Sequence, residues 1–381
     1  MRILNLCVES DRIMGGRGEM NCEVMTRLQT GGHDVHHVCL DATWIKEPSY
    51  SWSIPSERWP MPCFERPGIA AQVMHSTVIH CLKLRKTFDV IVAHDWDMFF
   101  VASELSKVWG IPWVATCHLF QHQMALIEGR DATEEGMLPI ANEWFGVSKA
   151  PHVVCVSNDM ARYAREIMGV HREFSIIHNG VQPIIGVKPR PPTTNPRCLF
   201  IGRLSFQKGY DYVLDLAEKH LELLIDVAGS MPALPADAAE ESPTMRRIRA
   251  LEKSNPNFTY HGHVSRYERD AVYDRADCVL MPSRAEPFGI VALEAMARGI
   301  PLVTTRVDGL AEFCDDSNSW RCDLSVESLY QAIKDAALGG ARVERALTTA
   351  KEFSWDTCAK KWNALLKGIV NGINTTSELR V

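Results

Sequence analysis

The sequence predicts an α/β protein built of two doubly wound domains. Short apolar runs alternate with helical patterns along most of the chain, which favours parallel sheets with helices on both faces. The alternation stops once, at the proline-rich segment Gln182–Pro196, and then restarts. The length of 381 residues agrees with two domains.

Strand and helix patterns define the two halves. The strand patterns before the break are Ile3–Val8, Asp34–Leu40, Asp89–His94, Pro112–Cys117 and His152–Ser157, and those after it are Arg197–Gly202, Leu223–Gly229, Cys278–Pro282 and Pro301–Thr305. An amphipathic helix, Phe353–Val370, comes last. We therefore expect domains at residues 1–185 and 186–353 and a final helical segment at 354–381. Ligands of such sheets bind beyond the carboxyl ends of the strands, so we expect the site in a cleft between two facing domains.

Composition excludes several classes of protein. The net charge of −6 argues against a general binder of nucleic acid or anionic membranes. The 12 cysteines are scattered without a C-x-x-C pair, so we expect neither a metal cluster nor a redox pair. The start MRILNLCV reads as a strand rather than a signal peptide, and no apolar run approaches the roughly 20 residues of a membrane span. We expect a soluble cytoplasmic protein with reduced thiols.

Two glutamates stand out in the apolar stretch Ser283–Thr305. Pro287 and Gly289 indicate a loop, and a helix is expected from about Phe288 to Arg298, with free N–H groups at its start that suit a phosphate. Glu286 and Glu294 are eight residues apart. On a helix that is about 12 Å, too far for the acid pair of a glycosidase. We interpret them as contacts to two parts of one elongated ligand; the alternative is a salt-bridged helix residue and a solvated loop residue.

Three further elements carry candidate residues. In Ile201–Lys219 a strand ends at Gly202, and the turn after it holds Arg203 and Lys208, two cations that suit a diphosphate unless they are merely solvated. The glycine-rich segment Met14–Met20 either lets backbone approach a ligand or is a plain turn. His118 and Asp95 follow strand ends; the histidine is either catalytic or structural, and the aspartate either caps a helix or binds an acceptor hydroxyl.

These residues in this order resemble the GT-B glycosyltransferases, specifically the large retaining family 4, which includes sucrose synthase and bacterial glycogen synthases. EPFGIVALEA resembles the family's E-x-F-G-x-x-x-x-E-A signature, and GRLSFQKG resembles its G-R-x-x-x-x-K-G element. VSNDM, IIHNGV and the early GG loop followed by GGHDV also fit, so the resemblance covers nearly the whole chain. AHDWD and the run to His118 are most similar to the glycogen-synthase branch.

The resemblance implies a role for each matching residue. Arg203 and Lys208 would neutralise the donor diphosphate, with Gly202 beside them and Gly16 approaching from the first domain. Glu294 would bind the ribose, and Glu286 the donor sugar together with the backbone of Phe288, Gly289 and Ile290. His118 would contact the donor sugar near the anomeric centre, and the last helix would cross back to the first domain. Separately from the resemblance, we expect Arg17 and Asp95 to bind the acceptor. No metal or other cofactor is implied.

The expected activity is transfer of a hexose from a nucleoside-diphosphate sugar, with UDP as the expected nucleotide, to a small-molecule or saccharide hydroxyl. The alternatives are an α-glucan synthase, a nucleotide-sugar epimerase and a non-catalytic nucleotide-sugar binder. Two departures bear on the substrates: Ile13 replaces the lysine of glycogen synthases, and Asp308-Gly309 replaces a usual Gly-Gly pair. Residues 1–185 contain 16 basic and 21 acidic residues, which favours a neutral or cationic acceptor. They also contain 11 of the 14 histidines.

Overall fold

The structure is a computed structural model that describes residues 1–9, 15–39, 52–53, 67–84, 87–129, 134–231, 242–265 and 268–372. Ile13 and most of Met231–Pro243 lie outside the described residues. The chain divides into two compact units. Unit 1 contains Met1–Gly180 together with the residues from Trp355 onward, and unit 2 is Val181–Ser354.

Unit 1 is built on one parallel sheet. Its strands are β1 Arg2–Leu6, β2 Asp34–Cys39, β3 Trp52–Ser53, β4 Val90–His94, β5 Trp113–Cys117, β6 His152–Cys155 and β7 Ser175–Ile176. Its helices on the N-terminal side of unit 2 are α1 Gly16–Thr30, α2 Pro67–Leu82, α3 Trp96–Trp109, α4 Gln121–Glu128, α5 Glu134–Lys149 and α6 Asn158–Glu166. The strand order is β3-β2-β1-β4-β5-β6-β7, so the chain reverses direction across the sheet between β1 and β4. The strands β4 and β5 are buried at every position, as expected for a sheet covered on both faces.

Unit 2 repeats this topology with six strands. They are β8 Arg197–Ile201, β9 Leu224–Ala228, β10 Phe258–Gly262, β11 Cys278–Met281, β12 Leu302–Thr304 and β13 Trp320–Arg321, in the order β10-β9-β8-β11-β12-β13. The helices are α7 Tyr210–Lys219, α8 Pro243–Ser254, α9 Arg269–Arg275, α10 Ile290–Ala297, α11 Val326–Ala337 and α12 Ala341–Glu352. Both orders are those of a dinucleotide-binding fold, which confirms the predicted doubly wound class and places the switch points at β1/β4 and β8/β11.

The last described helix, α13 Trp355–Val370, returns to unit 1 and packs on α1. Trp362, Leu365 and Leu366 of this helix are buried. The predicted crossing back of the final helix is therefore confirmed.

Two further predictions concern the segment Gln121–Ala141 and the state of the cysteines. Gln121–Ala141 reads as a loop in the sequence because apolar and acidic residues are mixed, but α4 and the start of α5 occupy most of its described part. Free thiols are found at all eleven described cysteines. No helix in the described ranges is long and apolar enough to cross a membrane.

Candidate active site

The loop after β8 holds the first candidate residues. Gly202 follows the strand with φ 154°, and Gly209, with φ 69°, ends a 3-10 turn that contains Lys208. A Cβ on Gly209 would lie 1.8 Å from the carbonyl oxygen of Pro282, so only glycine lets the loops after β8 and β11 meet here. Arg203 is exposed on this loop and has no ion-pair partner in the described part of the chain.

Lys208 and Glu286 form an ion pair across these two loops. Nζ of Lys208 lies 2.6 Å from Oε2 of Glu286, with 20% of the lysine side chain and 8% of the glutamate side chain exposed. Both residues belong to the predicted donor site, although local sequence pattern does not indicate that they touch. A ligand that enters at this sheet edge therefore meets a cation and a carboxylate held together.

Arg284 also connects the loops after β8 and β11 through side-chain contacts. No sequence pattern had indicated it as a candidate residue. Its guanidinium lies 2.7 Å and 2.6 Å from the two carboxylate oxygens of Asp211. It also lies over the rings of Phe206 and Tyr212, at 3.6 Å and 4.6 Å from their centroids. Since Arg284 stands two residues before Glu286, these contacts hold the loop of Glu286 against the helix that follows Lys208.

The backbone of Glu286 is held on both sides by the loop after β12. The N–H of Glu286 donates to Oδ2 of Asp308 at 3.0 Å, and the N–H of Gly309 donates to the carbonyl oxygen of Glu286 at 3.0 Å. Asp308 has φ 45°, a left-handed conformation that is uncommon for a residue with a Cβ. Asp308, which stands at the first position of the expected Gly-Gly pair, thus supplies a side-chain acceptor that glycine lacks.

The helix α10 starts two residues later than predicted. Gly289 precedes it with φ 106°, and a Cβ there would lie 2.4 Å from Cδ2 of Leu310. The Phe288 side chain is buried, with its ring centroid 5.2 Å from that of Phe313. Phe288 therefore directs its side chain into the core, and Ile290 follows at the start of α10, where the first N–H groups of a helix have no partner within the helix.

Glu294 lies on α10, and residues of α9 hold its carboxylate. Arg269 donates to Oε1 at 2.7 Å, and the Tyr273 hydroxyl donates to Oε2 at 2.8 Å. Burial and the adjacent Glu294 carboxylate raise the pKa of Tyr273 well above its ordinary value, so the phenol stays a donor. The structure contains the salt bridge that the sequence left open as an alternative.

Arg17 is the centre of a charged cluster in unit 1. Its guanidinium lies 3.1 Å from Oε1 of Glu9, 3.2 Å from Oδ2 of Asp95 and 2.8 Å from Oδ2 of Asp97. The N–H groups of Gly15 and Gly18, which flank Gly16 and Arg17 at the start of α1, both donate to Glu9 at 2.9 Å. The predicted acceptor residues Arg17 and Asp95 therefore contact each other.

Asp95 positions the loop of His118 instead of capping α3. Its Oδ1 accepts from the His118 N–H at 2.7 Å, and no bond from its side chain to the start of α3 is found within the described residues. Burial raises the pKa of Asp95 and of Asp97 to about 6, although the Arg17 charge opposes that shift in both. No group of His, Cys, Asp and Glu in the described ranges has the arrangement of a metal site.

The His118 side chain belongs to a buried chain of hydrogen bonds. Its Nε2 lies 2.9 Å from Nδ1 of His94, and Nε2 of His94 lies 3.0 Å from Oδ1 of Asn5. Nδ1 of His118 is buried and has no hydrogen-bond partner among the described residues. Burial, followed by the Arg17 charge, lowers the pKa of His118 to about 3, so the ring is neutral at pH 7.

The predicted site residues fall into two groups, one in each unit. Those at the β8/β11 switch point of unit 2 are Gly202, Arg203, Lys208, Glu286, Phe288, Gly289, Ile290 and Glu294. Those at the β1/β4 switch point of unit 1 and on neighbouring β5 are Gly16, Arg17, Asp95 and His118.

Two family models match the two parts of the chain. Residues 14–183 match the model described as Glycosyltransferase Family 4, and residues 182–351 match the model described as Glycosyl transferases group 1. The boundary between the two matches falls close to the boundary between the two units.

Similar proteins agree with these matches. A glycogen synthase of Mycobacterium tuberculosis is 28% identical over 291 residues, which covers 71% of this chain and 66% of the relative. The sucrose-phosphate synthase structure from Thermosynechococcus elongatus has a TM-score of 0.78 at 18% identity and covers 97% of this chain and 99% of its own. The Anabaena HepE structure in complex with UDP-glucose has a TM-score of 0.68 at 16% identity and covers 97% of this chain and 100% of its own.

Proposed function

We propose that this chain, which belongs to the glycosyltransferases and has the GT-B fold, moves a hexose from a nucleoside-diphosphate sugar to a hydroxyl group with retention of configuration. The observation that carries the proposal is the Lys208–Glu286 ion pair at the β8/β11 switch point, next to the exposed Arg203. The two cations Arg203 and Lys208 suit a diphosphate, and the Glu286 carboxylate suits sugar hydroxyls.

Arg203 and Lys208 stabilise the leaving group. When the bond between the sugar and the diphosphate breaks, negative charge collects on the phosphate oxygens, and the two cations with the N-terminus of α10 oppose it. When the phosphate binds, Lys208 contacts both the phosphate and the Glu286 carboxylate. The lone pairs of Glu286 that Lys208 does not use accept hydrogen bonds from the sugar hydroxyls. We propose that the Glu294 carboxylate binds the ribose.

His118 binds the donor sugar as a neutral ring. Because its pKa is lowered to about 3, it carries no spare proton at pH 7 and cannot serve as the general acid. We propose that the leaving phosphate takes the acceptor proton on the same face of the sugar, which retains configuration. The charge on the diphosphate is met by Arg203 and Lys208, so we propose that the reaction needs no metal.

UDP is the nucleotide that we propose first. The HepE structure binds UDP-glucose within the same fold, which supports this choice. The glycogen synthase relative supports an α-glucan synthase as the second candidate, with an oligosaccharide as the acceptor.

The acceptor is a small molecule or a saccharide in this proposal. Arg17 and Asp95 are already paired, so an acceptor hydroxyl would share their hydrogen-bonding capacity instead of meeting free charges. We also propose a cytoplasmic location, which the free thiols of the eleven described cysteines support.

Thermal unfolding with UDP, GDP, ADP and dTDP tests the donor site. One nucleotide at about 100 times its dissociation constant should add roughly 2.7 kcal/mol to the free energy of unfolding. Arg203→Gln and Lys208→Met should remove this shift. Lys219→Met is the matched control, because Lys219 is an exposed lysine on α7 paired with Glu327. Absence of a shift with all four nucleotides in the wild type contradicts the donor assignment.

Product analysis then tests the reaction. Incubation of the matching nucleotide sugar with a panel of glycosides should give a product with the anomeric configuration of the donor, in the presence of a chelator. A product formed from the donor alone would indicate an epimerase. An inverted product, or dependence on added divalent cation, would contradict the proposed mechanism.

A further inference from the structure

The buried chain Asn5, His94 and His118 has a defined direction. Oδ1 of Asn5 faces Nε2 of His94 at 3.0 Å, and an amide oxygen only accepts, so Nε2 of His94 carries the hydrogen. A neutral imidazole has one donor and one acceptor nitrogen, so Nδ1 of His94 is an acceptor. It lies 2.9 Å from Nε2 of His118, which must therefore donate.

The other side of the Asn5 amide agrees with this direction. Its Nδ2 lies 2.7 Å from Oδ1 of Asn21 and 3.2 Å from Nδ1 of His37, and both atoms can accept. Asn5 and Asn21 are 0% and 1% exposed, so bulk solvent does not reach these amides. The amide thus has acceptors on its nitrogen side and a donor on its oxygen side.

We propose that Asn5 and His94 are positioning residues that hold His118 in the tautomer with a lone pair on Nδ1, so that the donor-sugar group facing this atom is a hydroxyl and not a carboxylate. A hydroxyl donates to the lone pair, whereas a carboxylate has only acceptors and would be left unpaired. This inference rests on the proposed function, in which His118 faces the donor sugar.

The burial of the chain explains why it can hold one tautomer. His94 is 0% exposed and His118 is 8% exposed. Burial lowers the pKa of both rings, that of His94 well below its ordinary value, so neither ring is protonated at pH 7. A protonated ring would donate from both nitrogens and would remove the direction of the chain.

Nitrogen-15 NMR of histidine-labelled protein tests the tautomer without any substrate. The His118 signal, assigned by its loss in His118→Gln, should show a hydrogen on Nε2 and none on Nδ1 at pH 7. Asn5→Leu and His94→Phe should each give a mixture of tautomers. Thr116→Val is the control, since Thr116 is buried on β5 two residues before His118 and its hydroxyl has no partner in the described part of the chain. A hydrogen on Nδ1 in the wild type overturns the proposal.

Kinetics with UDP-glucose and its monodeoxy forms test the pairing with substrate. Removal of the one hydroxyl that donates to Nδ1 of His118 should lower kcat/KM by roughly 10- to 100-fold in the wild type. The same removal should lower it by much less in Asn5→Leu and His94→Phe. An equal loss in wild type and variants shows that the chain does not act on the sugar. If the NMR result holds but no sugar is transferred, the proposed function fails and the tautomer assignment stands.

Discussion

Asp308 combines a left-handed backbone with a carboxylate that accepts from the Glu286 N–H. The conformation costs a residue with a Cβ about 1–2 kcal/mol, and asparagine tolerates it better than most residues. The hydrogen bond requires an acceptor on the side chain. Three substitutions separate these two requirements.

Asp308→Asn should keep both the backbone conformation and an acceptor, so kcat/KM for transfer should stay within about threefold of wild type. Asp308→Gly keeps the conformation and loses the acceptor, and the misplaced Glu286 should lower kcat/KM by about 10-fold. Asp308→Ala lacks both, and its free energy of unfolding should also fall by roughly 1–3 kcal/mol. Steady-state kinetics and thermal unfolding measure these values. If Asp308→Gly matches Asp308→Asn in kcat/KM, the hydrogen bond does not position Glu286.

The contact of α13 with α1 joins segments from opposite ends of the described chain. Trp362 is 0% exposed, and its indole nitrogen has no hydrogen-bond partner among the described residues. The helix is therefore held by apolar packing, to which the exposed ion pair of Arg27 with Asp356, at 2.7 Å, adds little.

Trp362→Ala should lower the free energy of unfolding of unit 1 by about 3–5 kcal/mol, because a large buried ring is replaced by a cavity. Trp362→Phe should cost less, since it leaves a smaller cavity and removes the unpaired N–H donor. Urea unfolding measures both values. Equal losses for the two variants would show that packing volume does not decide the stability of this contact.

At the level of elements, apolar periodicity located the central strands to within one or two residues. Among the elements that the sequence patterns did not locate are β10, β13 and the helices α11 and α12. The strand β10 has the pattern FTYHG, in which Thr, Tyr and His mask the apolar alternation. Gln121–Ala141 was misinterpreted as a loop because apolar and acidic residues are mixed along it, and the structure accommodates even Pro139 inside α5.

The candidate site was predictable only in part. The motifs place Lys208, Glu286 and Glu294 at one sheet edge, but their protein partners come from distant parts of the chain. Glu294 is held by Arg269 of α9, which no local pattern indicates. Eleven histidines in the first half had no explanation from sequence; four of them, His36, His37, His94 and His118, are buried in unit 1.

For the whole molecule, these buried groups set how stability depends on pH. Burial, then His36, lowers the pKa of His37 from 6.5 to about 3. The unfolded chain then binds one more proton than the folded chain between about pH 3 and 6.5, so this stability is present above pH 6.5 and is lost as pH falls. Asp95 and Asp97, with pKa raised to about 6, act oppositely: the stability they contribute is present below their unfolded pKa of 3.8 and is lost as pH rises through 6.

His37→Gln should therefore make the acid loss of stability less steep. Between pH 4.5 and 6 the unfolded and folded states of the variant differ by one bound proton fewer than those of the wild type. The slope of the free energy of unfolding against pH is therefore lower by about 1.4 kcal/mol per pH unit. Urea unfolding across this range measures the slope. His75→Gln, at an exposed position of α2, is the control and should leave the slope unchanged. Parallel curves for His37→Gln and wild type would show that His37 does not titrate in this way.

The return of α13 to α1 also affects the order of events during synthesis. A ribosome releases the whole of unit 2 before it releases Trp355–Val370, so unit 1 cannot cover α1 until nearly the last described residue has emerged. A nascent chain that stops inside unit 2 leaves the apolar side of α1 uncovered and open to chaperones and proteases. Completion of unit 1 thus reports that unit 2 has already been translated.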